Sequence, residues 1–401
     1  MKKFIAIVMV AMFALSMVAC SQPAAEETPA TEETPATEET AAPEASAEAA
    51  SEYKVAMITD YGDITDQSFN QTTYEACKAF CEEKGIDFNY FKPAGDSDAE
   101  RVAMIESSID EGYNVVVMPG YAFAGAIKET AGTYSDVTFI ALDVSASDLG
   151  DDYQLPSNLY CAVYQEELCG YMAGYAAVKL GYKNLGFLGG MAVPAVVRYG
   201  YGFVQGVDAA AAALGLTDVK LNYVYGGQFY GDADITAVMD TWYADGTEIV
   251  FACGGGIYTS AVDAAKKVGA KVIGVDVDQA GVIAKYAGVD GMTVTSAMKG
   301  LYPATYDTLT DVIVNGNWDK YVGKIATLGL VSGTDPEANY VQIPMGDGTQ
   351  WSDSFTQDDY KAMVKDMFDG KITVSNNTSS DVSAADFATV ITVDDQGSIK
   401  G

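Results

Sequence analysis

The chain has 401 residues, 49% of them hydrophobic and 20% charged, which is enough for two or three domains with sizeable cores. It contains no histidine, and this removes the Ser-His-Asp and Cys-His layouts of hydrolases as well as histidine-based zinc sites. Its formal net charge of −33 repels nucleic acid, because phosphate binding needs Lys and Arg clusters that are not here.

The chain opens with "MKKFIAIVMVAMFALSMVAC". Lys2 and Lys3 form a positive start, residues 4–14 an apolar run too short for a comfortable membrane span, and Ala19 a small residue before Cys20. Residues 1–20 therefore read as an export signal. Its end resembles a bacterial lipobox, with Met17 where that motif usually has Leu. The resemblance implies lipidation of Cys20, hence a lipid-anchored protein on the extracytoplasmic side of the cell membrane. Residues 21–52 repeat Glu, Thr, Pro and Ala, as in "EETPATEETPATEET". Such a segment buries too little apolar surface to offset ordering, so it reads as a disordered, acidic tether.

From Tyr53 onward, short apolar runs alternate with helical stretches. The runs are "YKVAMITD", "DFNYFKP", "YNVVVMPG", "VTFIALD", "LYCAVY", "NLGFLGG", "VKLNYVYGG", "EIVFACGGG", "KVIGVDVD" and "GMTVTSA". Most are Val- and Ile-rich without polar alternation, as parallel strands covered on both faces are. Helical spacing runs over 68–84 and 99–111. Repeated βα units predict an α/β fold with doubly wound parallel sheets, and ten strands exceed one comfortable open sheet. The pattern divides near 160–170, at "YCAVYQEELCGYMAGYAA", and the second set closes near 291–299. The expected organisation is one lobe of 53–162 plus about 300–401, including "VGKIATLGLV" and "YVQIPM", and a second lobe of 163–299, joined by a hinge.

Five cysteines follow Cys20: Cys77, Cys81, Cys161, Cys169 and Cys253. The odd count argues against a disulfide framework, and no spacing suits zinc. All five read as structural, with Cys77 and Cys81 sharing a buried helix face. Neither a metal nor a cofactor is expected.

Ligands of open α/β sheets meet the carboxyl ends of strands. Here those ends carry Asp60, Asp143, Gly226 and Gly227, Gly254, Gly255 and Gly256, then Asp276 and Asp278. No P-loop and no GxGxxG is present, which argues against a bound polyphosphate. In "DYGDITDQSFNQT", Asp66 suits a helix N-cap, and Phe69 stands between Ser68 and Asn70 at a strand-to-helix mouth. Phe229, in "YGGQFYGDAD", is a second such aromatic in the other lobe. One phenyl ring on each lip would sandwich a flat ring, with stacking of about 1–3 kcal/mol per base. Asp143 and Asp276, or Asp278 in its place, can accept hydrogen bonds from a diol, and Lys299 lies near the predicted hinge. No nucleophile–base pair appears, so no enzyme is expected. "DVDQ" is the sole opening for a secreted hydrolase of nucleosides, and it lacks a second acid cluster.

The runs "DQSFNQTTYE", "NLGFLGGMAVPAVVRYGYGFVQGV", "YGGQFYGDAD", "FACGGG", "VIGVDVDQ" and "TSAMK" resemble, in order and spacing, the landmarks of the basic membrane protein family. These are substrate-binding lipoproteins of ABC importers, and characterised members bind purine nucleosides. The resemblance implies a periplasmic-binding-protein type I fold with a base stacked between Phe69 and Phe229. It further implies polar contacts from Asp66 and Asn70, with Ser68 beside them a candidate, and a backbone contact at Gly254 and Gly255. It matches Asp143 to the acid ending the fourth strand, Asp276 to the ribose-binding acid and Lys299 to the lysine of the last motif, which pairs with a buried Asp or donates to ligand oxygens. The implied partners are a nucleoside, an ABC permease and its ATPase, with the receptor itself a monomer. One departure is Thr65, where the family's first motif often has a second Asp. Alternative ligands are a flavin-type vitamin or a sugar, and a sensory role would use the same lobes.

Overall fold

The computed structural model describes residues 52–150 and 152–400. The export signal, Cys20 and the tether up to residue 51 lie outside the described residues. The first lobe is built by β1 (Lys54–Ile58), α1 (Phe69–Lys84), β2 (Asp87–Phe91), α2 (Asp98–Asp110), β3 (Val115–Pro119), α3 (Ala124–Thr130), β4 (Thr138–Leu142), α4 (Ala146–Leu149) and β5 (Leu159–Tyr164). Helix α5 (Glu166–Lys179) then crosses to the second lobe. That lobe continues with β6 (Asn184–Gly189), α6 (Pro194–Leu214), β7 (Lys220–Tyr225), α7 (Ala233–Ala244), β8 (Ile249–Cys253), α8 (Tyr258–Val268), β9 (Lys271–Asp276), α9 (Ala280–Ala287) and β10 (Thr293–Lys299). The ten apolar runs of the sequence are these ten strands.

The tail, α10 (Leu301–Leu309), β11 (Lys324–Leu328), β12 (Val341–Gln342), α11 (Gln357–Phe368) and β13 (Thr392–Ser398), is shared between lobes. Strand β11 completes a six-stranded sheet of order β11-β5-β4-β3-β1-β2, and α10 packs on α1 through Phe80 and Tyr306. The expectation that about 300–401 returns whole to the first lobe is therefore corrected. Strands β12 and β13 flank the second sheet, of order β12-β10-β9-β8-β6-β7-β13, so "YVQIPM" belongs to the second lobe. The reason is burial: Val341, Ile343, Phe355, Tyr360 and Val364 have no exposed surface and join the second lobe's core. The two added strands also cover sheet edges that would otherwise present unpaired backbone groups. Strand β13, rich in acids and largely exposed, carries no apolar signal that sequence reading could use.

All contiguous β1–β10 pairings within each sheet are parallel, with both faces covered by helices, and each lobe has apolar clusters on both sides of its sheet. The five described cysteines are free and buried. Helices α5 and α6 touch backbone to backbone. A Cβ on Gly170 would lie 2.3 Å from the Tyr199 carbonyl oxygen, and one on Gly202 would lie 2.1 Å from that of Glu167. Only glycine permits this approach. It brings the first turn of α5 against the first turns of α6, where both helices face the gap between lobes.

Candidate functional site

The carboxyl ends of both sheets face one another across a cavity of about 380 Å³. Phe69, at the start of α1, lines it from the first lobe, and Phe229, in the loop after β7, lines it from the second. Asp66, Asn70, Asp143, Gly254, Gly255, Asp276 and Lys299 share its walls. Ser68 does not. It is fully buried, and its hydroxyl donates to the Asp276 carboxylate across the lobe boundary. Asp278 is also elsewhere, held on the Ala280 N–H at 3.0 Å.

Asp66 does the work of a cap from outside the helix. The N-cap is Ser68, whose side chain leaves the helix N–H groups alone, and the Asp66 carboxylate takes the N–H groups of Ser68 (2.9 Å), Asn70 (2.9 Å) and Gln71 (3.1 Å). Burial raises its pKa in spite of these hydrogen bonds. Asp60 is raised for the same reason and is held by the N–H groups of Tyr61 and Gly62, each at 2.6 Å. Asn70 bridges the two acids through Nδ2, 3.2 Å from Asp60 Oδ1 and 3.1 Å from Asp66 Oδ2. Hydrogen bonds thus tie Asp60, Asp66 and Asn70 together on this side of the cavity.

Opposite lies a buried charge cluster. Lys299 Nζ is 2.5 Å from Asp143 Oδ2, 3.5 Å from Glu166 Oε1 and 3.7 Å from Asp276 Oδ1. Burial alone would lower the Lys299 pKa, but the three carboxylates outweigh it and raise it, so the ammonium stays charged. The same ammonium sits 4.6 Å from the centre of the Phe69 ring, a cation–π contact that fixes the ring's inner face. Glu166 has its other oxygen on Arg198 Nε at 2.6 Å. Tyr199 donates to Asp276 Oδ1 at 3.2 Å. Asp143 and Asp276 end their strands at φ of 59° and 65°, a left-handed conformation that costs a non-glycine residue about 1–3 kcal/mol and clusters at ligand sites. Asp143 Oδ1 is buried without a hydrogen-bond partner among the described residues.

Gly254 and Gly255 line the cavity, and the glycines also make room for a ring. A Cβ on Gly190 would lie 2.3 Å from the Phe229 ring, and one on Gly254 would lie 2.7 Å from it. The missing side chains make room for the phenyl ring, and the Phe229 carbonyl is pinned by the Gly256 N–H at 2.8 Å.

Several lining residues carried little or no sequence signal. Arg198 is one of two arginines in the chain and so was findable as an isolated charge. Tyr61 and Tyr121, whose hydroxyls both donate to Met191 Sδ at 3.6 Å across the lobes, were not. Among the described residues no helix is long and apolar enough to cross a membrane.

Two doubly wound lobes, three chain crossings and a cavity at facing strand ends define a solute-binding protein of the periplasmic-binding-protein type I fold. The fold is similar to that of an ABC transporter solute-binding protein of Aeropyrum pernix (TM-score 0.62, 19% identity, covering 80% of this chain and 87% of that one). A second such protein, of Conexibacter woesei, has a TM-score of 0.60 at 21% identity, covering 81% and 99%. The chain belongs to the Bmp family of PnrA-like ABC transporter substrate-binding proteins, whose model matches residues 53–336. It is 26% identical over 338 residues to the ABC transporter nucleoside-binding protein BmpA of Lactococcus lactis, covering 81% of this chain and 89% of that one. It is 27% identical over 279 residues to the CD4+ T-cell-stimulating antigen of Listeria monocytogenes, covering 66% and 74%.

Proposed function

We propose that this substrate-binding protein is the receptor of a nucleoside importer, with purine nucleosides favoured. The observation that carries the reading is the placement of Phe69 and Phe229, one from each lobe, on the walls of one cavity. Its volume, about 380 Å³, is within the range of about 300–1,000 Å³ for small-molecule sites. The base stacks between the phenyl rings, Asn70 and the Asp60–Asp66 side offer polar contacts to its edge, and Asp143, Asp276 and Lys299 hold the ribose hydroxyls. The Lactococcus relative, named as a nucleoside-binding protein, supports the same reading.

The protein performs no chemistry on its ligand, and binding is followed by delivery to a permease and its ATPase. It acts as a monomer tethered outside the cell membrane through a lipid on Cys20, as the lipobox-like "SMVAC" suggests. The cavity carries six carboxyl groups, from Asp60, Asp63, Asp66, Asp143, Asp148 and Asp276, against the two cations Arg198 and Lys299. That balance disfavours a phosphorylated ligand.

Isothermal titration of refolded, ligand-stripped protein tests the reading. Guanosine, inosine and adenosine are expected to bind, and guanosine 5′-monophosphate far more weakly. No heat with any nucleoside ends the proposal, and a flavin or sugar identified by mass spectrometry in the denatured protein replaces it.

A further inference from the structure

Beside the cavity, outside its walls, the lobes share a further contact. Gln279 Nε2 of the second lobe donates to the Gln67 carbonyl of the first at 3.1 Å. Gln279 has no exposed surface and is fixed on its own lobe from several sides. Its Oε1 accepts the Val275 N–H at 3.0 Å, its N–H donates to Ser296 Oγ at 3.1 Å, and its carbonyl accepts the Ile283 N–H at 2.8 Å. Because Val275 requires an acceptor and Gln67 a donor, the amide has one orientation. Gly274 leaves the space it fills, since a Cβ there would lie 2.8 Å from that of Gln279.

Gln67 is equally prepared on the other side. Its φ of 58° is the third left-handed non-glycine value among the described residues, and it aims the carbonyl out of the first lobe. The Gln71 side chain holds it there, accepting from Gln67 N at 3.1 Å and Nε2 at 2.7 Å. The next residue, Ser68, makes the adjoining contact to Asp276. Two preset halves meet with little loss of side-chain freedom, so the contact favours closure itself.

We propose that Gln279 is a positioning residue that sets the population of the closed state and thereby the affinity for every ligand, without touching any. A ligand's apparent affinity scales with the fraction of protein that is binding-competent, so a loss here acts equally on all ligands. The proposal rests on the nucleoside reading only for its choice of probes.

The test uses the mature chain with Gln279→Met, which removes the amide, and Gln279→Glu read at about pH 9, where an ionised carboxylate keeps the acceptor for the Val275 N–H and has no proton to donate. Melting curves identify the variant that folds. Guanosine, inosine, adenosine and uridine are each expected to bind about tenfold more weakly, by a common factor and through faster dissociation. Small-angle scattering of ligand-free protein is expected to show a larger radius of gyration than the unsubstituted chain. Unchanged affinity in a folded variant overturns the proposal, as does a loss that differs among the four nucleosides. If none of the four binds the unsubstituted chain, the nucleoside reading has failed. The ligand-free scattering then decides alone: an enlarged variant upholds the latch and an unchanged one refutes it.

Discussion

Lys299 and Asp143, 156 residues apart in the chain, meet at 2.5 Å where strand ends of opposite lobes converge. The ammonium is the common counter-charge of the part-buried Asp143 and the buried Glu166 and Asp276. Lys299→Met should therefore leave carboxylates uncompensated, a loss of about 3–5 kcal/mol for breaking a buried pair. Because the raised Lys299 pKa lies above its unfolded value near 10.5, its stabilisation is fully present below that value and constant from pH 5 to 9. Thermal melting at pH 7 reads the loss, and a melting temperature equal to that of the unsubstituted chain would refute the counter-charge role.

The phenyl clamp makes a second prediction. Removing either ring, by Phe69→Ala or Phe229→Ala, should weaken purine nucleoside binding by about 1–3 kcal/mol, the worth of one stacking partner. Phe69→Ala should also cost stability, since Phe69 packs against both lobes' cores and beneath the Lys299 ammonium. Titration calorimetry beside melting curves separates the two effects. Unaltered affinity in both variants would remove the clamp.

Much of this site was readable before any coordinates, because strand ends in an α/β chain are predictable and the residues just past them are few. Phe69, Asp143, Phe229, Asp276 and Lys299 all follow, end or open an element whose apolar run is plain in the sequence. What escaped reading has physical causes. Ser68 looks like a cavity residue by position, yet it is fully buried behind the wall with its hydroxyl spent on Asp276, a choice set by tertiary contact alone. Asp278 lies two residues past Asp276, and the left-handed turn at Asp276 sends it out of the site. The tail was misassigned because two-residue β12 and polar β13 lack periodicity, and only burial of side chains such as Phe355 and Tyr360 decides which lobe they join.

The contact between glycine and phenyl ring yields a third prediction, one that removes no hydrogen bond and no ring. Gly190→Ala places a methyl group where the Phe229 ring lies, at 2.3 Å, without a positive φ to strain the backbone. The ring must shift, so nucleoside affinity should fall about as far as in Phe229→Ala while the melting temperature changes little. Full affinity in Gly190→Ala would show that the ring's position is not what the ligand reads.

Glu167 carries the last prediction. It is buried beside the charge cluster, its Oε2 has no hydrogen-bond partner among the described residues, and burial raises its pKa to about 7. The folded protein therefore binds a proton more tightly than the unfolded chain, where a glutamate titrates near 4.5. With a raised carboxyl the sign is destabilising: stability falls as pH rises from about 4.5 to about 7, by up to about 3 kcal/mol, and is flat above. Glu167→Gln keeps the shape and carries no proton to lose, so it should melt higher than the unsubstituted chain at pH 8 and converge with it near pH 4.5. Melting curves at both values decide it: a variant less stable at pH 8 would mean that the ionised carboxylate has a partner in solution and that the burial argument fails.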